Sequence, residues 1–172
     1  MEKTAQGLIE YAKAQLGRPY WYGTFGQAAS KALYDQKKNQ YPRQYEWEYD
    51  GATAKVHDCV GLIKGYSWYD IDTDRIVYVS NGHPDIGADR LYSDAQEKGP
   101  MSTMPEIPGL ILHAEGHVGI YIGGGYAIEA MGTRYGVVKT RVDNRSWTGW
   151  CKSPYITYIE EAEIPEESSG GL

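Results

Sequence analysis

The run His117-Val118-Gly119-Ile120-Tyr121-Ile122-Gly123-Gly124-Gly125-Tyr126-Ala127-Ile128-Glu129-Ala130 decides the fold. Residues 118–122 and 126–131 are short and β-prone, and the glycines at 123–125 join them, so the run predicts an antiparallel hairpin. No helix follows those glycines, which makes them a turn and not a phosphate cradle. Working outward, residues 109–113, 137–141, 147–151 and 155–159 read as further short strands punctuated by glycines. Upstream the pattern is helical. Leu8, Ile9, Ala12 and Leu16 recur at helical spacing over 4–16, with Thr4 as the cap and Gly17 as the stop. A second helix is expected over 26–40, polar at Lys37-Lys38-Asn39-Gln40 and therefore surface-lying. A third starts near Asp58, and a fourth spans 86–98. Helices first and an antiparallel meander of about five to six strands after them is the α+β pattern.

The third helix is where chemistry enters. It opens on His57-Asp58-Cys59-Val60-Gly61, with Val60, Ile63 and Ser67, or Leu62, Tyr66 and Tyr69, as its buried face. Its two glycines, Gly61 and Gly65, point to close packing against a neighbour. A helix N-terminus carries partial positive charge and free N–H groups, which favour thiolate over thiol and can hold an oxyanion. A nucleophilic cysteine needs a base from elsewhere in the fold, and His117 at the head of the hairpin is the candidate. Across the hairpin, Glu129 is placed to orient that ring. Asp58 is expected to cap the helix. His57 is expected on the cleft wall or the surface. Cys151 reads as structural. His113-Ala114-Glu115-Gly116-His117 does not have the H-E-x-x-H spacing, and His57, Cys59, His113 and His117 lack the paired close spacing of a structural zinc site, so no metal is expected.

Composition narrows the partners. The chain has 172 residues, 41% apolar and 23% charged, close to the globular average. Five of its 23 acidic residues lie in 160–172, which holds no Lys or Arg, so the rest is nearly neutral. That argues against nucleic acid, which needs clustered basic charge. No apolar run approaches the roughly 18 residues of a membrane span. Two cysteines are too few for a disulfide scaffold. Sixteen Tyr and five Trp stand against one Phe. Such rings either line a wet cleft or fill positions that Phe fills elsewhere. Trp21, Tyr45, Trp47 and Tyr49 are the cleft candidates. The N-terminus lacks the layout of a signal peptide. Residues 160–172 read as a linker or frayed end.

HDCVGLIKGY (57–66) resembles the "DCSGLV" nucleophile motif of the NlpC/P60 cysteine peptidases. GHVGIYIGGGYAIEA (116–130) resembles the family's "HVGIYIGNG…IHA" segment, and PYWYG (19–23) its upstream "PYxWGG" motif. The resemblance covers most of 4–159 in the family's order. It implies a papain-like α+β core over 1–159 and cleavage of peptidoglycan stem peptides, commonly between D-γ-glutamate and the diamino acid. An N-acetylmuramoyl-L-alanine amidase of the CHAP type and a non-catalytic wall-binding module are the alternatives. Carried over by position, Cys59 is the nucleophile, His117 the base, Glu129 the third residue and Tyr20 the tyrosine over the cleft. Asp58, Val60 and Trp47 complete the expected substrate and oxyanion contacts. No cofactor is implied, peptidoglycan is the partner, and a monomer is expected. Two departures stand out. Val60 replaces the family's usual Ser, which is associated with holding the substrate's free amine. Residues 26–55 form an insertion near the cleft. Absence of a signal suits a phage-type enzyme, cytoplasmic until it is released to the wall, or export by another route.

Overall fold

The computed structural model describes residues 2–159, and the acidic tail expected at 160–172 lies outside them. The Thr4 side chain accepts the Gly7 N–H at 2.9 Å and starts α1 (Ala5–Ala14), which buries Leu8, Ile9 and Ala12. The single helix expected over 26–40 is corrected. β1 (Phe25–Ala28) comes first, and α2 (Lys31–Gln40) begins at a Ser30 cap. The reason is tertiary: β1 pairs antiparallel with β2 (Lys55–His57), with Phe25 opposite His57 and Ala28 opposite Lys55. The chain thus leaves and returns at one place, and 29–54 is an excursion on the β1–β2 stem. This excursion packs its aromatic rings around Trp21, which precedes β1: Trp21, Tyr34 and Tyr45 are buried, and Trp47 and Tyr49 pack on them.

Asp58 caps α3 (Cys59–Trp68), all of which is buried, so neither expected face alone describes it. The helix is wrapped by α1, β1, β2 and the main sheet. Two glycines permit the approach. A Cβ on Gly61 would lie 1.8 Å from the Thr24 carbonyl oxygen, and one on Gly65 2.5 Å from that of Phe25.

β3 (Tyr69–Asp70) and β4 (Arg75–Ile76) then pair with each other. α4 (Ala88–Asp94) is shorter than the expected 86–98, because Ala95 turns to extended backbone and Lys98–Pro100 becomes β5. β6 (Ile111–Ala114), β7 (His117–Gly123), β8 (Tyr126–Ala130), β9 (Val137–Arg141) and β10 (Gly149–Cys151) follow. They join β5 in one antiparallel sheet of six strands, ordered β5-β10-β6-β7-β8-β9. Residues 155–159 are not a strand. Only Thr157 bridges, to Thr4, while Tyr158 turns its hydroxyl inward to the Gly109 carbonyl at 2.8 Å.

Strand alternation sorts the core into two layers. Ile111, Val118, Ile120 and Ile128 face Leu8, Leu62 and Ile63 of the helices. Leu110, Leu112, Tyr121, Ala127 and Trp147 pack on the other side. Among the described residues no helix is long and apolar enough to cross a membrane.

Candidate active site

Asp58 does two jobs at the start of α3. Its Oδ1 accepts the Gly61 N–H at 2.7 Å, and its Oδ2 accepts the Gly23 N–H at 2.9 Å, tying the Tyr20–Gly23 segment to the helix. Cys59 is therefore the first helical residue. Its Sγ lies 3.9 Å from the Gly116 carbonyl oxygen, and the Val118 N–H is among the backbone groups that bond to it. The thiol thus rests on the backbone flanking His117.

His117 and Glu129 meet through the hairpin register. Ile120 pairs with Ile128, which sets Glu129 across from Gly119 and diagonal to His117 on the same face. The His117 Nε2 lies 2.7 Å from Glu129 Oε1. Gly119 leaves space for Trp147, whose ring stacks on His117 at 5.2 Å and 8°. A Cβ on Gly119 would come within 2.9 Å of the Trp147 ring.

Glu129 is fully buried and fully bonded. Arg145 donates from Nη2 to Oε1 at 2.7 Å and from Nε to Oε2 at 3.0 Å, and the Thr140 hydroxyl donates to Oε2 at 2.6 Å. Burial pushes the carboxyl up, but the bonds from His117, Arg145 and Thr140 outweigh it and hold it at about 2. An ionised carboxylate can only accept, so His117 Nε2 donates to it, which leaves Nδ1 as the ring nitrogen that can exchange a proton with a neighbour. Arg145 was invisible to sequence reasoning. It follows a short 3-10 turn in a polar stretch, with no motif around it.

The resting state of Cys59 corrects the thiolate expectation. Burial pushes the thiol up to about 11, the Asp58 carboxyl adds to this, and the N–H groups of Val118, Val60 and Cys59 oppose it. Burial outweighs the helix start, so the sulfur is a thiol at neutral pH.

Tyr20, Asp58, Cys59 and Val60 line one cleft of about 710 Å³. Burial pushes the Tyr20 phenol up, so it remains a hydrogen-bond donor. His117, with Arg145 and Trp147, lines a second cavity of about 250 Å³. Trp47 does not line the cleft. It stacks on Tyr45 at 5.4 Å and sits 5.5 Å from Trp21, so with Tyr45 and Tyr49 it builds the aromatic core of the excursion. The cleft wall from this region is instead Tyr22, Lys37, Gln40 and Tyr41.

His57 is also corrected. It is buried, not on the cleft wall, with Nε2 2.9 Å from Gln15 Oε1, and burial pushes it down to about 3. His113 Nε2 lies 2.8 Å from Asp89 Oδ1, which also accepts the Gly116 N–H at 2.8 Å. Asp89 therefore pins the turn that carries Gly116 and His117. Cys151 is free and buried on β10, between β5 and β6.

Comparison with solved structures fits this arrangement into a known fold. The P60 domain of an antigen from M. avium subspecies paratuberculosis matches at 20% identity, over 89% of this chain and 96% of that one, with a TM-score of 0.51. NlpC2 from Trichomonas vaginalis matches at 18% identity and a TM-score of 0.54 over 90% of this chain, which spans about half of that protein (47%). The NlpC/P60 domain of the peptidoglycan hydrolase SagA matches at 16% identity and a TM-score of 0.50, over 87% of this chain and 98% of that domain. No protein-family model matches the chain, and no curated protein does. At these identities the likeness is one of architecture, and the helices and six-stranded antiparallel sheet of this chain have the fold of NlpC/P60 domains.

Proposed function

We propose that the chain is a cysteine hydrolase of bacterial peptidoglycan that cuts stem peptides between D-γ-glutamate and the diamino acid. The observation that carries this is the thiol at the first turn of α3, resting on the backbone either side of a histidine whose Nε2 is fixed by a buried carboxylate. The description of SagA as a peptidoglycan hydrolase supports the substrate. In this reading 1–159 is the catalytic domain, and 26–55 is an insertion that shapes the cleft.

The protonation states set the order of events. With the thiol at about 11, a free thiolate at pH 7 costs on the order of 5 kcal/mol. Proton transfer therefore accompanies attack. His117 Nδ1 takes the Cys59 proton as sulfur bonds to the scissile carbonyl carbon, and the C=O π electrons move to oxygen. The Cys59 N–H and the Tyr20 hydroxyl receive that oxyanion. Glu129 stabilises the imidazolium, which then protonates the departing amine as the C–N bond breaks. Nδ1 next deprotonates a water, which attacks the thioester, and the acid leaves as the thiol re-forms.

Digestion of purified walls tests the reading. Fragments with split stems support an endopeptidase. Whole stems released from sugar would instead make the chain an amidase. Wall binding without any fragment, unchanged by Cys59→Ala, would make it a binding module.

A further inference from the structure

The cleft beside Cys59 is lined with charges, nearly all of them committed inside the protein. Asp58 accepts two backbone N–H groups, one on each oxygen. Asp85 takes the Lys64 ammonium at 2.5 Å and the Tyr78 hydroxyl. Asp89 holds His113 and the Gly116 N–H. Arg90 pairs with Asp94 at 3.3 Å.

Lys37 differs. It is 8% exposed, and its ammonium has Gln40 Oε1 at 3.5 Å and the Tyr41 ring centre at 6.0 Å. A bond of that length is weak, and a buried ammonium without an anion is destabilising. Burial pulls Lys37 below the usual lysine range, with Asp58 and Asp85 opposing and Lys64 adding to the fall. An incoming carboxylate would relieve that cost. Lys37 stands on α2, within the 29–54 excursion, where a surface-lying helix was expected. Val60, beside the nucleophile, offers no side-chain group to bond a substrate amine.

We infer that Lys37 forms a carboxylate subsite, so that the cleft selects stem peptides whose γ-linked glutamate keeps a free α-carboxylate over those in which it is amidated. The inference rests on the endopeptidase reading above. In a γ-linked glutamate the scissile carbonyl belongs to the side chain. The α-carboxylate then sits on the same residue and enters the cleft with it.

The test uses two peptides that differ in that group alone, L-Ala-γ-D-Glu-L-Lys and its glutamate α-amide. Cleavage is measured with the native protein, and binding by calorimetry with Cys59→Ala. The free acid is expected to show a kcat/KM about tenfold higher, mainly through KM, and to bind about tenfold tighter. Lys37→Met, alone or added to Cys59→Ala, removes both differences. Equal treatment of acid and amide by the native protein, or a preference that survives Lys37→Met, overturns the subsite. Acid-selective binding with neither peptide cleaved supports the subsite and overturns the endopeptidase reading. Absence of both binding and cleavage overturns the two together. Should Lys37→Met fail to fold, Lys37→Gln and the acid–amide comparison on the native protein decide.

Discussion

Arg145 grips Glu129 at two points, Nη2 to Oε1 at 2.7 Å and Nε to Oε2 at 3.0 Å, and the first of those oxygens also takes His117 Nε2. One carboxylate therefore serves a guanidinium and an imidazole at once. Arg145 thereby fixes the carboxylate that positions the ring. In Arg145→Met the carboxylate loses both of these donors, so kcat should fall at least about tenfold through a misplaced His117. Saturation kinetics of the two proteins check this. An unchanged kcat separates Arg145 from the chemistry.

Glu129 also ties stability to pH. Its carboxyl is held at about 2 against an ordinary value of 4.5. A depressed carboxyl stabilises the fold above the unfolded value and loses that contribution as pH falls toward the folded one. The native protein should lose on the order of 2–3 kcal/mol between pH 5 and 2 from this group. Glu129→Gln should lose less over the same range. Denaturant midpoints of both proteins at several acidic pH values are the measurement.

Cys59 should react as a buried thiol. With its proton held to about 11, alkylation by iodoacetamide should be slow at pH 7 and climb without a plateau through pH 9. A plateau below pH 6 would mean a resting thiolate–imidazolium pair and would contradict the concerted proton transfer.

Gly61 has no room for a side chain, since a Cβ would lie 1.8 Å from the Thr24 carbonyl oxygen. Gly61→Ala should destabilise the protein by about 3 kcal/mol or more, as backbone must shift to admit it. Thermal unfolding compared with the native protein gives the difference. Asp89→Ala acts elsewhere. It frees the Gly116 turn, and kcat should fall at least about tenfold through misplacement of His117, with little change in melting temperature.

Much of this architecture is written in local patterns. Thr4 and Asp58 sit where helix caps must, and each makes the side-chain bond its position implies. The hairpin was legible because strand alternation and the glycines at 123–125 agree, and its register then places Glu129 beside His117. What failed depended on distant partners. Residues 25–28 follow their pairing with 55–57 and so leave the helix expected over 26–40. Lys37 lies in a helix polar enough to suggest solvent, and only the packed excursion shows that it turns inward. Tyr45, Trp47 and Tyr49 carried no sign of which wall they join, and they fill a local core, while Tyr41 lines the cleft. Arg145 reaches Glu129 because the polar segment after β9 passes the hairpin face, a route that no spacing encodes.

The central claim is that the sulfur of Cys59 does the chemistry. Stem-peptide cleavage by the native protein, Cys59→Ala and Cys151→Ala tests it most directly. The account predicts no product from Cys59→Ala and near-native rates from Cys151→Ala, whose thiol is sealed in the sheet. Cleavage by Cys59→Ala at the native rate would contradict it.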